Sequence, residues 1–327
     1  MELIFLEPYM KEVVWGGTRI QKEYGYKTDS DHIGEAWIVS ANEHGLSKVA
    51  NGKYKGLSLK ELWDNHREIF GNELKGVFPL LIKYIDAKDN LSIQVHPDDE
   101  YAKMVENQPN GKAESWYILD CEKDSDILIG HNAKTKEEFK KYIDDKEWSK
   151  LLRIRGIKKG DFFNIPAGTV HAIRKGTLIL ETQQNSDITY RLYDYDRLQN
   201  GKKRELHIQK SIDVVTCPYD KKNVEVTPKI EGNKIEYLKD NKFSVTKYKV
   251  NGRQEIELES FYIICVIEGA GSVNSIEISK GTNFIVPKAF GKICFEGSLE
   301  FMLIHDWRKW EKEPLVIPLI FYNKRIY

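Results

Sequence analysis

Gly160-Asp161-Phe162-Phe163-Asn164-Ile165-Pro166-Ala167-Gly168-Thr169-Val170-His171 reads G-x5-P-x-G-x2-H. Glycine supplies positive φ and proline fixes φ near one value, so the stretch describes a tight strand–turn–strand corner. That corner delivers His171 inward from the start of the next strand. Upstream, Ser92-Ile93-Gln94-Val95-His96-Pro97-Asp98-Asp99 brings a second histidine, and Lys112-Ala113-Glu114-Ser115-Trp116-Tyr117 brings a glutamate. Gln94 and His96 stand two apart, so on a strand they share a face. Glu114 and His171 must then reach the same interior from neighbouring strands, which barrel strands allow because their side chains alternate in and out. Two imidazoles, a carboxylate and an amide form a donor set for one divalent ion. Zinc favours such ligands, and catalytic zinc sites keep one position open. Either histidine alone is more simply a hydrogen-bonded core residue, and the combined contexts tip the reading to metal. His32, His44, His66, His131, His207 and His305 lack such contexts and read as surface or structural.

The chain has 327 residues, 41% of them hydrophobic, which is ordinary for a globular protein with a sizeable core. Lys plus Arg and Asp plus Glu number 50 each, so net charge gives no reason to expect nucleic acid or an anionic membrane as partner. No run approaches ~18 apolar residues, and the N-terminus lacks the basic-then-apolar pattern of a signal peptide. Cys121, Cys217, Cys265 and Cys294 are scattered, with no C-x-x-C pair, and fit reduced cytoplasmic thiols.

Short β-like runs at 78–85, 115–119, 126–129, 177–181, 261–267 and 299–304 are bounded by Gly, Pro, Asn and Asp, a spacing that favours a β-sandwich or barrel. No G-x-G-x-x-G or G-x4-G-K-[ST] supports a nucleotide fold. Ser58-Leu59-Lys60-Glu61 predicts a capped helix with Gly71 as its stop. Pro97 opens a second helix with Asp98, Asp99 and Glu100 in its first turn, and Thr135-Lys136-Glu137-Glu138 predicts a third. The chain also repeats itself. Glu114-Ser115-Trp116-Tyr117-Ile118 matches Glu259-Ser260-Phe261-Tyr262-Ile263, and Lys159-Gly160 through Pro166 matches Lys280-Gly281 through Pro287. Two related β-barrels are expected. Residues 1–225 hold the metal set and the helical insertions; residues 226–327 form a metal-free copy, with Lys292 in place of His171, and a tail. The apolar tail segment 314–322 packs across a barrel or buries a dimer contact.

These motifs resemble the cupin superfamily, and more closely the short bacterial form of the type I mannose-6-phosphate isomerase family. The resemblance runs from Trp15-Gly16-Gly17-Thr18-Arg19 through Phe78-Pro79-Leu80-Leu81-Ile82-Lys83 to Ser211-Ile212-Asp213-Val214, and includes Ser186-Asp187-Ile188-Thr189-Tyr190-Arg191 and the run Arg191 to Arg197, followed by Gly201 and Arg204-Glu205-Leu206-His207. It implies a mainly β chain of two cupin-type barrels, or jelly rolls, with a few helical insertions. It implies one zinc per chain held by His96, Glu114 and His171, with Gln94 a ligand in longer relatives. It places Arg191 in the active site and Ser92 near the phosphate of a sugar phosphate.

The expected activity is interconversion of mannose 6-phosphate and fructose 6-phosphate through a cis-enediol, by a cytoplasmic enzyme, monomeric or homodimeric. Lys112, two residues from Glu114, is a candidate for proton shuttling or for holding the oxygen at carbon 1; its bland alternative is an exposed loop lysine. Asp187 is a substrate-binding candidate that orients Arg191 or caps a turn, and Lys83 is a further site candidate. Longer relatives carry an acidic residue after the zinc histidine in a different local sequence. Here Ala172, Ile173 and Arg174 follow His171, so the motifs leave the proton-transferring group unassigned. An Fe(II) oxygenase or a sugar-binding cupin would share the ligand set but has no need of the Lys112–Glu114 and Ser186–Arg191 motifs.

Overall fold

A computed structural model describes residues 2–199 and 201–306; the apolar segment 314–322 lies outside them. The described chain is mainly β, in three large antiparallel sheets. The central sheet orders its six strands as Phe162–Ile165, Glu114–Cys121, Thr177–Gln184, Leu80–Ala87, Tyr9–Gly17 and Ile33–Val39. Both of its faces are covered, so Leu80–Ala87 and Thr177–Gln184 are buried at every position, polar residues included. One face, through Ala36, Ile38, Tyr84, Leu178, Leu180 and Tyr117, packs on the C-terminal half of the chain. The other face, through Ile85, Trp116, Ile118 and Ile179, looks across a narrow interior at a five-stranded sheet.

That second sheet runs Leu152–Gly156, Asp126–His131, His171–Ala172, Ile93–Val95 and Tyr190–Tyr193. Its outer face, with Val95, Leu128, Ala172 and Leu192, is covered by Phe139, Ile143, Leu151 and Ile212 from the helices Lys136–Asp144, Trp148–Leu151 and Ile208–Val214. The helical insertions thus stiffen the sheet that carries both histidines.

The C-terminal half forms a nine-stranded sheet built on two 16-residue strands, Phe243–Leu258 and Gly291–Asp306, paired along their whole length. Ile4–Glu7 joins this sheet beside Asn283–Val286 and carries Lys48–Val49 on its other edge, so the first strand of the chain belongs to the last sheet. The large sheets are open strand paths; sandwiching leaves their ends unjoined, unlike a strand-by-strand closed barrel.

The expected repeat is present in three dimensions with one change of register. Gly160 and Gly281 both take φ near +90° (93° and 91°). Gly160 N–H donates to Ile118 O at 2.8 Å and Gly281 N–H to Val266 O at 2.9 Å. Ile118 therefore corresponds to Val266, not to Ile263 as the matched segments suggested, and the slip of three residues puts Tyr262, opposite Val286, where Glu114 stands opposite Ile165. An odd slip exchanges the two faces of a strand, so Glu259 is not a second metal carboxylate.

The helices follow their caps. Ser58 and Glu61 form a reciprocal capping box on Leu59–Asn65, which stops at Asn65, before Gly71, because a 3-10 turn, Arg67–Ile69, intervenes. Asp98 caps Asp99–Glu106 by accepting from Tyr101 N–H at 2.8 Å. Thr135 caps Lys136–Asp144, but Glu138 accepts from Lys134 N–H, so the expected reciprocal box is half made. The halves of the chain meet in a ring cluster in which Trp63 lies 5.2 Å from Phe78 and Phe70 lies 5.4 Å from Phe261. Phe261→Ala is expected to cost about 3–5 kcal/mol, measured as a shift in the urea unfolding midpoint; an unchanged midpoint would mean that this cluster does not join the halves.

Candidate active site

The two facing sheets meet in register. Across the five-stranded sheet, Ile129, His171, Gln94 and Arg191 lie directly opposite one another on successive strands and so project to one face. Across the central sheet, Trp37, Lys83, Glu181 and Trp116 form a second row, with Glu114 two residues from Trp116 on the same face. The corner at Pro166–His171 is pinned by Gly168 at φ +83°, whose N–H donates to His96 O at 2.8 Å. A Cβ there would run into Thr216 Oγ1 and Val214 O. Gly111 serves the other approach: a Cβ on it would collide with the backbone of Asp98, and its closeness lets Lys112 N–H donate to Pro97 O at 2.9 Å.

His96, Glu114 and His171 are buried together, with their ligand atoms all within 4.8 Å of one another. His96 Nδ1 lies 2.7 Å from Ile188 O and His171 Nδ1 lies 2.8 Å from Thr169 O. A carbonyl only accepts, so each Nδ1 carries the proton and each neutral ring turns a bare Nε2 inward. Glu114 Oε1 sits 2.9 Å from His96 Nε2 and 3.3 Å from His171 Nε2, yet has no hydrogen-bond partner. Three acceptors converging in a buried space are costly without a cation, and this donor set fits a divalent one. Gln94 Nε2 stands 3.5 and 3.3 Å from the two Nε2 atoms, and turning its amide about its axis would present Oε1 at the same place.

Lys112 is buried, which overturns its reading as an exposed loop lysine: Nζ reaches His96 Nε2 at 3.3 Å and Glu114 Oε1 at 3.8 Å. Burial, then the Lys112 ammonium, push the His96 imidazole down to about 3. Burial works against ionisation of Glu114, but Lys112, the hydrogen-bonded Glu181 and the histidines hold its carboxyl well below the usual range.

A cavity of about 380 Å³ opens beside this cluster, lined by Ser92, Gln94, Lys112, Asp187 and Arg191 and also by Glu35, Lys83, Glu181, Arg204 and His207. Ser92 Oγ donates to Gln94 Oε1 at 3.4 Å. Arg191 Nη1 donates to Glu205 O at 3.1 Å. Asp187 does not orient Arg191: its carboxylate pairs with His44, while Arg191 bonds to a backbone carbonyl. Lys83 bridges Glu181 at 3.1 Å and Glu35 at 3.5 Å, and Trp116 Nε1 donates to both Glu114 and Glu181 at 3.2 Å. Burial, then the neighbouring Glu114 charge, push the Glu181 carboxyl up to about 8 against the pull of Lys83.

Glu181 is missed by sequence reasoning, and Arg204 and His207 enter there only as part of a family motif with no place in the site. The available signal was a charged residue inside an apolar run, as with Lys83 in its own strand. His207, read as surface or structural, lies in the cavity wall.

A mainly β chain with a buried His–Glu–His cluster beside a polar cavity has the architecture of a cupin-type protein with a candidate metal site. Family models match in two places: "Phosphomannose isomerase type I, catalytic domain" over residues 3–142 and "Mannose-6-phosphate isomerase, cupin domain" over 233–306. The chain belongs to the type I phosphomannose isomerase family. It is 48% identical to the probable mannose-6-phosphate isomerase GmuF of Bacillus subtilis, over 92% of this chain and 98% of that one. It is 42% identical to mannose-6-phosphate isomerase of Streptococcus mutans, over 93% and 98%. Among solved structures, the mannose 6-phosphate isomerase of Bacillus subtilis superposes with a TM-score of 0.90 at 42% identity, covering 93% of this chain and all of that one (100%). The phosphomannose isomerase of Salmonella typhimurium, at 16% identity and TM-score 0.77, shares the fold.

Gly111→Ala is expected to push the Lys112–Glu114 segment away from Asp98 and cost at least about 1–3 kcal/mol, read as a lower melting temperature together with reduced bound metal. Wild-type melting and metal content would remove Gly111 from the account.

Proposed function

We propose that this chain is a zinc-dependent aldose–ketose isomerase of carbohydrate metabolism that interconverts mannose 6-phosphate and fructose 6-phosphate. The observation that carries the reading is Glu114 Oε1, buried without a hydrogen-bond partner between two bare imidazole nitrogens, at the wall of a polar cavity in a chain of this family. His96, Glu114 and His171 would hold one zinc, with Gln94 as a fourth ligand once its amide is turned. A divalent cation bound there supplies Lewis acidity that polarises the sugar carbonyl.

The remaining steps fall to the side chains. Glu181 takes the proton from carbon 2 of the aldose and returns it to carbon 1, through a cis-enediol. Its place in the cavity wall, with Lys83 beside it to accept the changing charge, supports this assignment. Lys112 carries the hydroxyl proton between the two sugar oxygens. Arg191, which stays protonated, orients the sugar and favours the developing negative charge. Ser92 and Asp187 line the cavity and contact the substrate. We read residues 1–225 as the catalytic unit and 226–327 as a second, metal-free jelly roll that borrows the strand Ile4–Glu7. No helix among the described residues is long and apolar enough to cross a membrane. The free thiols suit a reducing compartment, and we place the enzyme in the cytoplasm as a monomer or homodimer.

The test is turnover of mannose 6-phosphate before chelation, after it, and after zinc is restored. Activity that vanishes and returns with zinc is the expected result; full activity in metal-free protein would overturn the metal assignment. His171→Ala is expected to lose zinc and turnover together while remaining folded. Glu181→Gln is expected to keep its zinc and lose roughly 10²–10⁴-fold in kcat, whereas a fall below about tenfold would leave proton transfer to Lys112.

A further inference from the structure

Two adjacent glutamines close the strand Thr177–Gln184, and both are buried. Neighbouring strand residues point to opposite faces, so Gln183 and Gln184 work on different sides of the central sheet. Gln183 stands directly opposite Glu114 and shares the face of the metal cluster. Its Nε2 donates to Gln184 O at 2.9 Å and to Ser186 O. Carbonyls only accept, so the amide has one orientation, and its Oε1 is left buried with no hydrogen-bond partner. An orphaned buried oxygen costs about 1–3 kcal/mol, and all that the side chain gains is its hold on a turn. Two residues beyond Ser186 in that turn, Ile188 O meets His96 Nδ1 at 2.7 Å.

Gln184 reaches the other way. Its backbone N–H donates to Ala113 O at 3.0 Å, and its Oε1 accepts from Ala113 N–H at 3.0 Å. Its Nε2 donates to Asp99 Oδ1 at 2.8 Å, and the same oxygen accepts from Gly111 N–H at 2.8 Å. With Lys112 N–H on Pro97 O, three successive amides ahead of Glu114 are tied down. The other Asp99 oxygen pairs with Lys242, from the turn between the strands Lys234–Lys239 and Phe243–Leu258 of the C-terminal half. Burial works against ionisation of Asp99, but Lys242, Gly111 N–H and Gln184 hold its carboxyl below the usual range.

We propose that Gln183 and Gln184 are positioning residues of the metal site: Gln183 fixes the turn whose Ile188 carbonyl aims the His96 ring, and Gln184 acts with Asp99 to fix the segment that delivers Lys112 and Glu114. This assignment rests on the metal reading above and deepens it. His171 has its own anchor in the Pro166–Gly168 corner. His96 lies just past the end of the short strand Ile93–Val95, and Glu114 is the first residue of its strand, so for both the ladder has run out on one side. Ligands must meet a metal to within about 0.2 Å, and partners outside the ligand shell supply that aim. One strand end, gripping the His96 turn on one face and the Glu114 approach on the other, sets the two ligands relative to each other. Through Lys242 the C-terminal half bears on the same anchor.

The experiment uses the full chain and zinc itself as probe. Affinity is read by competition with a chromogenic chelator, and the melting temperature of the metal-free protein is read beside it. Gln183→Met removes the orphaned oxygen together with the two bonds to the turn. The metal-free melting temperature is expected to stay near the wild-type value while the zinc dissociation constant rises roughly 10- to 100-fold. Gln184→Met and Asp99→Ala are expected to weaken zinc by a similar factor. Asp99→Asn keeps the accepting oxygen without the charge and is expected to recover most of that loss. A Gln183→Met chain that does not fold, or whose metal-free melting temperature falls along with its affinity, would make Gln183 structural and overturn its part. Unchanged zinc affinity in either glutamine variant, or an Asp99→Asn variant as weak as Asp99→Ala, would overturn the assignment while leaving the metal reading intact. A wild type that binds no zinc would remove the metal reading and this assignment with it. Zinc binding with the expected dependences in a protein that does not turn over mannose 6-phosphate would leave the positioning roles standing and remove the isomerase reading.

Discussion

Three buried acceptors meet at one point: Glu114 Oε1 and the Nε2 atoms of His96 and His171. None can donate to the others, because the carbonyls of Ile188 and Thr169 have already claimed the ring protons. The Lys112 ammonium reaches His96 Nε2 at 3.3 Å but stands 3.8 Å from Glu114 Oε1, and only a divalent cation between the three would satisfy them together. Much of the surrounding structure serves to keep it in place. Gly168 and Gly111 permit backbone approaches that no side chain could tolerate. Helices cover the outer face of the sheet that bears the histidines, and the C-terminal half covers the outer face of the sheet that bears the glutamate. Neither sheet can slip by one residue without turning its ligands away from the other.

The same constraint organises the charges behind the metal site. Glu114 and Glu181 share the indole N–H of Trp116, and two carboxylates that close do not ionise with equal ease. Lys112 lies beside Glu114 and Lys83 beside Glu181, so each acid has its own cation and the two separate in behaviour. Glu114 is held ionised and Glu181 is pushed up to about 8, the difference the proposed ligand and proton-transfer roles require. Pairing across the central sheet sets this up: Lys83 and Glu181 are direct neighbours in the ladder.

How much was legible in the sequence follows from the range of each interaction. His171 was readable because Gly160, Pro166 and Gly168 encode its corner locally, and His96, Glu114 and Lys112 because each sits in a short motif. The helix starts were readable from their caps for the same reason. Glu181, Lys83 and His207 were harder, since each becomes functional through a partner on a distant strand and sequence spacing does not carry ladder register. The internal repeat makes the same point. The hairpin at Gly281 reproduces the one at Gly160, yet the more eye-catching match, Glu259 to Glu114, is three residues out of step with the ladder. Identity of letters survived there while the equivalence of position did not.

That slip bears on why one half of the chain carries the chemistry. In the C-terminal half, Tyr262 stands where Glu114 stands in the first, and Lys292, which aligns with His171 in sequence, is exposed and pairs with Glu255. Neither residue offers the buried carboxylate or imidazole that Glu114 and His171 supply. The second unit keeps the strands and gives up the site, and what it supplies instead is a surface: Ile263, Cys265, Met302 and Ile304 bury the back of the sheet from which Glu114, Lys83 and Glu181 project. A strand covered on both faces cannot shift without breaking one of the two packings. The C-terminal half therefore gives rigidity to the row of Lys83, Glu181 and Trp116, where a change of about one ångström would already matter to the proposed reaction.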